Sequence, residues 1–163
     1  LSLALSETDG HYAQFNGDGL MAIYGLKSDP QSAALASLRG AKAMLNRIEA
    51  SNTRLGEELT EPLRIGVGIH MGDAIVGSMG PPATPIISAL GDTVNVAARL
   101  ESLTKELGVP LVISKDTASY AGCEIQGASS HTVPVKGRDA EMDILAISDL
   151  SGIHFDKKIE AAE

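Results

Sequence analysis

The sequence has one cysteine, Cys123, no tryptophan, and only three tyrosines and two phenylalanines among its 163 residues. A single cysteine excludes a disulfide within the chain and a metal site built from several cysteines. No run of apolar residues reaches the length that a membrane-spanning helix needs. No signal peptide is visible either, so we expect a cytoplasmic protein or the cytosolic domain of a membrane-anchored one.

Basic residues are also scarce, since 13 Lys and Arg stand against 21 Asp and Glu, for a net charge of −8. This excess of negative charge argues against a nucleic acid as a partner. An anionic substrate would have to be received by local cations, namely a metal ion and a few Lys or Arg side chains. Apolar residues make up 44% of the chain, which is enough for one core. We predict one domain over residues 1–150 and a C-terminal tail over residues 151–163.

Hydrophobic periodicity divides the chain into strands and helices and predicts an α+β fold with a mostly antiparallel sheet. One predicted helix begins at Pro30, with Asp29 as its N-cap, and ends near residues 50–53. Further predicted elements are a strand over residues 110–114, a short helix over residues 116–121, and three hairpins that join residues 11–15 to 20–24, residues 63–71 to 74–79, and residues 133–136 to 143–147.

Residues 91–102 read Gly-Asp-Thr-Val-Asn-Val-Ala-Ala-Arg-Leu-Glu-Ser and predict a turn followed by a helix that ends near Gly108. Asp92 or Thr93 is expected to cap this helix. Asn95 and Arg99 lie four residues apart and therefore share one helix face. An amide and a guanidinium stacked in this way form a donor surface for phosphate. The alternative is a capped amphipathic helix whose Asn and Arg are simply exposed.

Residues 16–20 read Asn-Gly-Asp-Gly-Leu between two short apolar runs, which predicts a β-hairpin with Asp18 at its tip. A carboxylate in this place is suited to hold a divalent cation over phosphates. The alternative is an ordinary turn aspartate, because Asp-Gly is a very common hairpin turn.

These two segments, together with Gly-Ile-His-Met-Gly-Asp-Ala-Ile-Val-Gly-Ser-Met-Gly at residues 68–80, resemble the class III adenylate and guanylate cyclases, especially the bacterial members. The resemblance extends from about residue 11 to residue 147. It implies a ferredoxin-like βαββαβ core with additional C-terminal strands. A diguanylate cyclase is a third interpretation, but it would need a Gly-Gly-acidic-acidic-aromatic hairpin, which residues 16–20 do not supply.

The resemblance also implies a reaction, in which the ribose 3′-hydroxyl of ATP attacks the α-phosphate to give cyclic AMP and pyrophosphate. It implies two metal ions, Mg²⁺ or Mn²⁺, with Asp18 as one ligand. In this scheme Asn95 orients the ribose, Arg99 stabilises the transition state, and Lys136 contacts the terminal phosphates. Taken alone, a surface lysine such as Lys136 is usually just solvated.

The purine-reading positions of the family correspond to Gln14, four residues before Asp18, and Ser88, three before Gly91. Neither the usual adenylate pair nor the usual guanylate pair is present. Gln offers both a donor and an acceptor, and Ser88 resembles the threonine of the bacterial adenylate group. Gln14 could therefore serve adenine or guanine. Because the bacterial members of the resembled family mostly use ATP, we expect ATP as the substrate, with GTP as the alternative.

The resemblance implies that Asn95 and Arg99 come from one subunit and Asp18 from the other. It therefore implies a head-to-tail homodimer. The family core also begins with a strand that carries the first metal-binding aspartate, and no such aspartate precedes Asp18 at a suitable distance. We therefore expect residues 1–163 alone to have little activity and regulatory domains to lie in the same longer chain. The alternative is a catalytically inactive dimerisation or regulatory module with the same fold.

Overall fold

A computed structural model describes residues 2–16, 19–56, 58–81, 86–134 and 140–155, without the side chains of residues 2, 14–16 and 79. The elements in chain order are α1 (Ser2–Ser6), β1 (His11–Asn16), β2 (Gly19–Ile23), α2 (Pro30–Leu55), β3 (Val67–Ile69), β4 (Ile75–Met79), β5 (Ile86–Leu90), α3 (Asp92–Leu107), β6 (Leu111–Ser114), α4 (Lys115–Ala121), β7 (Glu124–Ile125), β8 (Ser129–Pro134), β9 (Glu141–Ile147), a 3₁₀ turn (Leu150–Gly152) and β10 (Ile153–His154).

The strands form one four-stranded sheet and three pairs. The sheet has the order β3-β6-β9-β8, in which β3 runs parallel to β6 and the other neighbours are antiparallel. The pairs are β1 with β2, β4 with β5, and β7 with β10. This mixture of a sheet and packed helices confirms the predicted α+β class, and the predicted first and last hairpins are both present.

The predicted hairpin between residues 63–71 and 74–79 is wrong. Its first strand is limited to β3, which pairs in parallel with β6, with Val67 opposite Leu111. Its second strand, β4, pairs instead with β5, with Ile75 opposite Leu90. Alternating apolar residues predict that a segment is extended, but the choice of a partner strand depends on contacts that are distant in sequence.

The start of α2 agrees with the prediction from the sequence. The Asp29 side chain accepts hydrogen bonds from the backbone N–H groups of Gln31 at 3.0 Å and Ser32 at 3.1 Å. Pro30 occupies the first turn, where its missing N–H costs nothing. The helix runs to Leu55, slightly beyond the predicted end.

The core lies on both faces of the four-stranded sheet, and β6 shows this division because all of its residues are buried. Leu111 and Ile113 join the cluster that contains the apolar face of α2. Val112 points to the opposite face and joins Val96 and Leu100 of α3. The period of two along a strand therefore places α2 and α3 on opposite sides of one sheet.

Two glycines allow α3 to approach β3 closely. A Cβ atom on Gly68 would lie 2.5 Å from the Ala97 carbonyl oxygen, too close for any side chain. A Cβ atom on Gly66 would meet the Thr104 hydroxyl in the same way. This agrees with the packing role of glycines in close backbone contacts.

The C-terminal segment packs against α2. Ile153 is buried and pairs with Ile125 of β7, and the Phe155 ring lies 5.5 Å from the Arg39 guanidinium carbon and 5.7 Å from the Lys42 nitrogen. The remainder of the predicted tail, residues 156–163, lies outside the described residues. Within the part of the chain that the structure describes, no helix is both long enough and apolar enough to cross a membrane.

Candidate functional site

The candidate site is centred on α3, whose two faces have different surroundings. Val96 and Leu100 are buried against the sheet. Asn95 and Arg99 are exposed on the other side of the helix. A separation of four residues places these two side chains one turn apart. The structure therefore places the predicted amide and guanidinium together on a solvent-facing surface.

The start of α3 differs from the sequence-based expectation. The N-cap is Gly91, whose φ of 140° is a conformation that favours glycine. The prediction of Asp92 or Thr93 as the N-cap residue is therefore wrong, since both lie within the first turn of the helix. The Thr93 hydroxyl instead donates to the backbone carbonyl of Asp73 at 2.6 Å. A tertiary contact has replaced the local cap.

A pocket of about 400 Å³ opens at this end of the helix. Its lining includes Asn95 and the backbone of the turn before α3, and the full set is Ala89, Leu90, Gly91, Asp92, Val94 and Asn95. The positive end of the helix dipole lies at this end of α3, and a helix N-terminus attracts anionic groups. The pocket thus combines an exposed amide with a helix N-terminus that also carries the Asp92 carboxylate.

Arg99 is held by an ion pair within its own helix. Its Nη1 atom donates to Oε1 of Glu106 at 2.6 Å, and both side chains are about half exposed. Exposed ion pairs contribute little, roughly 0–1 kcal/mol, because water screens them. A phosphate group can therefore compete with Glu106 for the guanidinium.

The two predicted purine-reading positions lie on neighbouring strands. Ser88 is in the middle of β5, opposite Gly77, and only 8% of its surface is exposed. Gln14 is in β1, next to an irregularity in the pairing with β2. β1 contacts β5, so the backbones of the two positions belong to adjacent elements. The Gln14 side chain is not among those described.

Asp18 and Lys136 lie outside the described residues. The strands that flank them are described, and each pair forms a hairpin. Asn16 is opposite Gly19, so the strand pairing that the predicted hairpin requires is present. Pro134 is opposite Glu141, so Lys136 belongs to the connection between β8 and β9.

A metal site is not provided by the described residues alone. Among residues 2–16, 19–56, 58–81, 86–134 and 140–155, no group of three or more His, Cys, Asp and Glu side chains is arranged to hold a metal ion. The described donors therefore do not fit a metal by themselves, and the predicted ligand Asp18 is not one of them.

A second pocket, of about 830 Å³, lies on the opposite side of the first turn of α3, and sequence reasoning missed it. Lys115 and Thr132 both donate to the carboxylate of Asp143, at 3.2 and 2.8 Å. These two hydrogen bonds, Thr132 first, lower the pKa of Asp143 below its ordinary value. The three residues come from separate elements, so their spacing in the sequence contains no signal of this cluster.

Comparison with known protein families gives a match to the adenylate and guanylate cyclase catalytic domain over residues 4–148. The chain is 32% identical over 139 residues to adenylate cyclase 1 of Rhizobium meliloti (strain 1021), a match that covers 85% of this chain and 21% of that protein. It is 26% identical over 147 residues to an adenylate cyclase of Anabaena cylindrica, covering 88% of this chain and 29% of that protein. The chain thus spans less than a third of the length of these relatives.

Solved structures with the same fold include one named as a guanylyl cyclase and one named as an adenylyl cyclase. The guanylyl cyclase Cya2 has a TM-score of 0.79 and 26% identity, and the match covers 94% of this chain and 75% of that one. The adenylyl cyclase CyaB from P. aeruginosa has a TM-score of 0.73 and 25% identity, covering 91% of this chain and 76% of that one. The fold is therefore that of a known group of catalytic domains.

Proposed function

The chain belongs to the family of adenylate and guanylate cyclase catalytic domains, and from this premise we propose that it forms cyclic AMP and pyrophosphate from ATP. The observation that carries the proposal is the exposed face of α3. Asn95 and Arg99 project from it together, and Asn95 lines a pocket at the helix N-terminus. Neither side chain is needed for packing, since the buried face of α3 is formed by other residues.

The proposed reaction exchanges one phosphorus–oxygen bond for another. The ribose 3′-oxygen bonds to the α-phosphorus and loses its proton, while the bond from the α-phosphorus to the oxygen bridging the β-phosphate breaks and pyrophosphate departs. The Asn95 amide has a donor and an acceptor with which to orient the ribose. Arg99 supplies charged donors where negative charge develops on the phosphate oxygens. Lys136 is proposed to contact the terminal phosphates.

Class III cyclases generally use divalent metal ions, and we propose Mg²⁺ or Mn²⁺ here, with Asp18 as a ligand. Such an ion would lower the pKa of the attacking hydroxyl and offset phosphate charge. The support for this part of the proposal is the antiparallel pairing of β1 with β2, the two strands between which Asp18 lies in the sequence.

ATP is proposed over GTP because of Ser88 and the similarity to adenylate cyclases, since Gln14 could serve either purine. The neighbouring positions of β5 and β1 support a shared role in reading the purine, and the nearly buried Ser88 hydroxyl is a short polar group of the kind found in bacterial adenylate enzymes. The similarity in fold to a guanylyl cyclase favours GTP as the second candidate.

We further propose a head-to-tail homodimer, in which α3 of one chain faces the Asp18 hairpin of the other. The β4–β5 hairpin supports this because it exposes an apolar surface. Ile75 is 76% exposed, Leu90 is 56% exposed, and Ile86 is also exposed. The three residues lie on one face of the hairpin, since Ile75 is opposite Leu90 and Ile86 is opposite Met79. Exposed apolar surface of this kind is typical of a protein interface.

The first experiment measures product formation by the full-length protein with ATP and with GTP separately, each with Mg²⁺ and with Mn²⁺. We expect cyclic AMP and an equal amount of pyrophosphate, with the rate on ATP exceeding the rate on GTP. Cyclic GMP as the main product would support the guanylate alternative. No cyclic nucleotide from either substrate would contradict the proposal and support an inactive module.

The second experiment tests the shared site by mixing an Asp18→Ala chain with an Arg99→Ala chain. Each homodimer should be inactive, but one of the two sites in a mixed dimer would have both wild-type residues, so part of the activity should return. Mixed dimers that are shown to form and yet stay inactive would argue against a site between subunits.

A further inference from the structure

The N-cap residue of α3 lacks the capping side chain that the N-cap residues of two other helices of this fold possess. α2 is capped by the Asp29 side chain and α4 by the Ser114 side chain, which accepts from the Thr117 N–H. The N-cap of α3 is Gly91, which has no side chain with which to cap the helix. A contact with another part of the chain therefore takes on a larger role in fixing the first turn of the helix that carries the candidate site.

Thr93 makes such a contact. Its hydroxyl donates to the Asp73 carbonyl at 2.6 Å, across a sequence separation of 20 residues. Gly72 allows the two segments to come this close, because a Cβ atom there would lie 2.6 Å from the Thr93 hydroxyl oxygen and 3.2 Å from its methyl group. Gly72, Asp73 and Thr93 together form what we call the α3 interlock.

The segment that receives Thr93 is itself anchored. His70, just after β3, has its Nδ1 atom 2.9 Å from the hydroxyl of Ser114, which is fully buried and caps α4. β3 is held against α3 through Gly68. The connection over residues 70–73 is thus attached to the sheet and to α4, and the interlock attaches the first turn of α3 to that connection.

We propose that Thr93 is a positioning residue that holds Asn95 in its working place, an inference that rests on the proposed cyclase function. Thr93 and Asn95 are two residues apart in a helix, so they lie on opposite sides of it. The hydrogen bond to Asp73 holds the Thr93 side of the first turn in place. The opposite side of that turn, which carries Asn95, is thereby kept facing the pocket. Displacement of a positioning group by about 1 Å can reduce a rate by about two orders of magnitude.

The opposite end of α3 offers a matched control. The Thr104 hydroxyl donates to the Glu101 carbonyl at 2.6 Å, the same length as the Thr93 bond. Thr104 also contacts a glycine of the neighbouring segment, Gly66. Because its hydrogen bond stays within the helix, its loss should not move Asn95.

The test compares kcat and KM for ATP among wild-type full-length protein and the variants Thr93→Val, Thr93→Ser and Thr104→Val, each assayed well below its own melting temperature. We expect Thr93→Val to lower kcat by roughly tenfold to a hundredfold with KM changed by less than about threefold. Thr93→Ser retains the hydroxyl and should stay within about twofold of wild type, as should Thr104→Val. Equal kcat for Thr93→Val and wild type would overturn the proposal, as would equal losses in Thr93→Val and Thr104→Val.

A double-mutant cycle tests the role of Gly72. Gly72→Ala should lower kcat as Thr93→Val does, because the new methyl group displaces the Thr93 side chain. In a Thr93→Ala background the space is free, so Gly72→Ala should have no further effect. Additive losses would show that Gly72 acts independently and would contradict the interlock.

Amide hydrogen exchange separates this inference from the proposed function. Thr93→Val should speed exchange in the first turn of α3, whereas Thr104→Val should not. An inactive wild-type protein would refute the cyclase function, and the exchange rates would then still decide whether the interlock exists. An active wild-type protein with unchanged exchange and unchanged kcat in Thr93→Val would refute the positioning role alone.

Discussion

α2 and α3 are the two long helices of the fold, and they are built differently at their first turns. α2 begins with Asp29 and Pro30, and its cap is complete within four residues of sequence. α3 begins with Gly91 at a positive φ and is fastened by Thr93 to a segment 20 residues away. A local cap forms hydrogen bonds with the free N–H groups of a helix end. A hydrogen bond from a side chain to a distant segment leaves those N–H groups open to a pocket. Both helices pack against the sheet, but α3 in addition presents the candidate site.

The largest expected effect is the loss of the Arg99 side chain on α3. Arg99→Ala should lower cyclase activity by about 10²–10³-fold, the usual cost of removing a group that stabilises developing charge. Its melting temperature should stay close to that of wild type, because Arg99 is half exposed and its ion pair with Glu106 lies at the surface. Steady-state kinetics and a thermal melt check both points.

Arg54→Ala on α2 is the control for this prediction, since Arg54 is an exposed arginine in the last turn of that helix. It should leave both activity and stability nearly unchanged. A similar loss of activity in the two variants would mean that the general charge of the surface matters, and that the face of α3 has no special role.

The second prediction concerns the supporting role of α2. Leu38 is fully buried in the core cluster between α2 and the sheet. Leu38→Ala should lower the free energy of unfolding by about 2–5 kcal/mol, through lost burial and an incompletely filled cavity. kcat per folded molecule should be unchanged. Leu63→Ala, at a partly exposed leucine, should cost clearly less, and equal costs in denaturant titrations would contradict the assigned core.

The third prediction uses the cap of α2. The Ser32 hydroxyl, followed by the backbone N–H of the same residue, lowers the pKa of Asp29 below its ordinary value of about 4. The carboxylate therefore stabilises the fold above that ordinary value, and this contribution is lost as the pH falls through the lowered pKa. Asp29→Ala should lower the melting temperature by roughly 2–4 °C at pH 7.

On acidification to about pH 3, the difference in melting temperature between wild type and Asp29→Ala should shrink, because protonation removes the charge of the wild-type cap. The comparison isolates Asp29 from the other acids that titrate in the same range. A difference that stays constant, or grows, as the pH falls would contradict the stabilising role of the charged carboxylate.

The smallest expected effect is at Glu106, which holds Arg99 in an exposed ion pair. Glu106→Gln should raise kcat/KM for ATP by no more than about fivefold at low salt, because it frees the guanidinium for phosphate. The gain should vanish near 1 M salt, where charges are screened within about 3 Å. Glu101→Gln on the same helix is the control, and a gain of equal size there would point to net charge alone.

An element of this fold was predictable when its interacting residues lie close together in the sequence, and not when they lie far apart. The start of α2 was predicted correctly because Asp29, Pro30 and Ser32 lie within one turn. The capping of α3 and the partner of β3 were predicted wrongly, since Thr93 and Val67 find their partners about 20 and 40 residues away. The position of Asn95 and Arg99 on one face of α3 was predictable, because residues four apart in a helix lie one turn apart on the same face. The Lys115, Thr132 and Asp143 cluster was not, because it joins three elements.

By itself, the sequence determined the class of fold, the identity of most helices and strands, and the outward face of α3, because each depends on periodicity and caps among near neighbours. Tertiary structure alone decided that β4 pairs with β5, that Gly68 and Gly72 admit α3 to close contact, and that Thr93 is bound to Asp73. Such contacts depend on how whole elements fill space around one core, so the pattern of any single segment cannot reveal them.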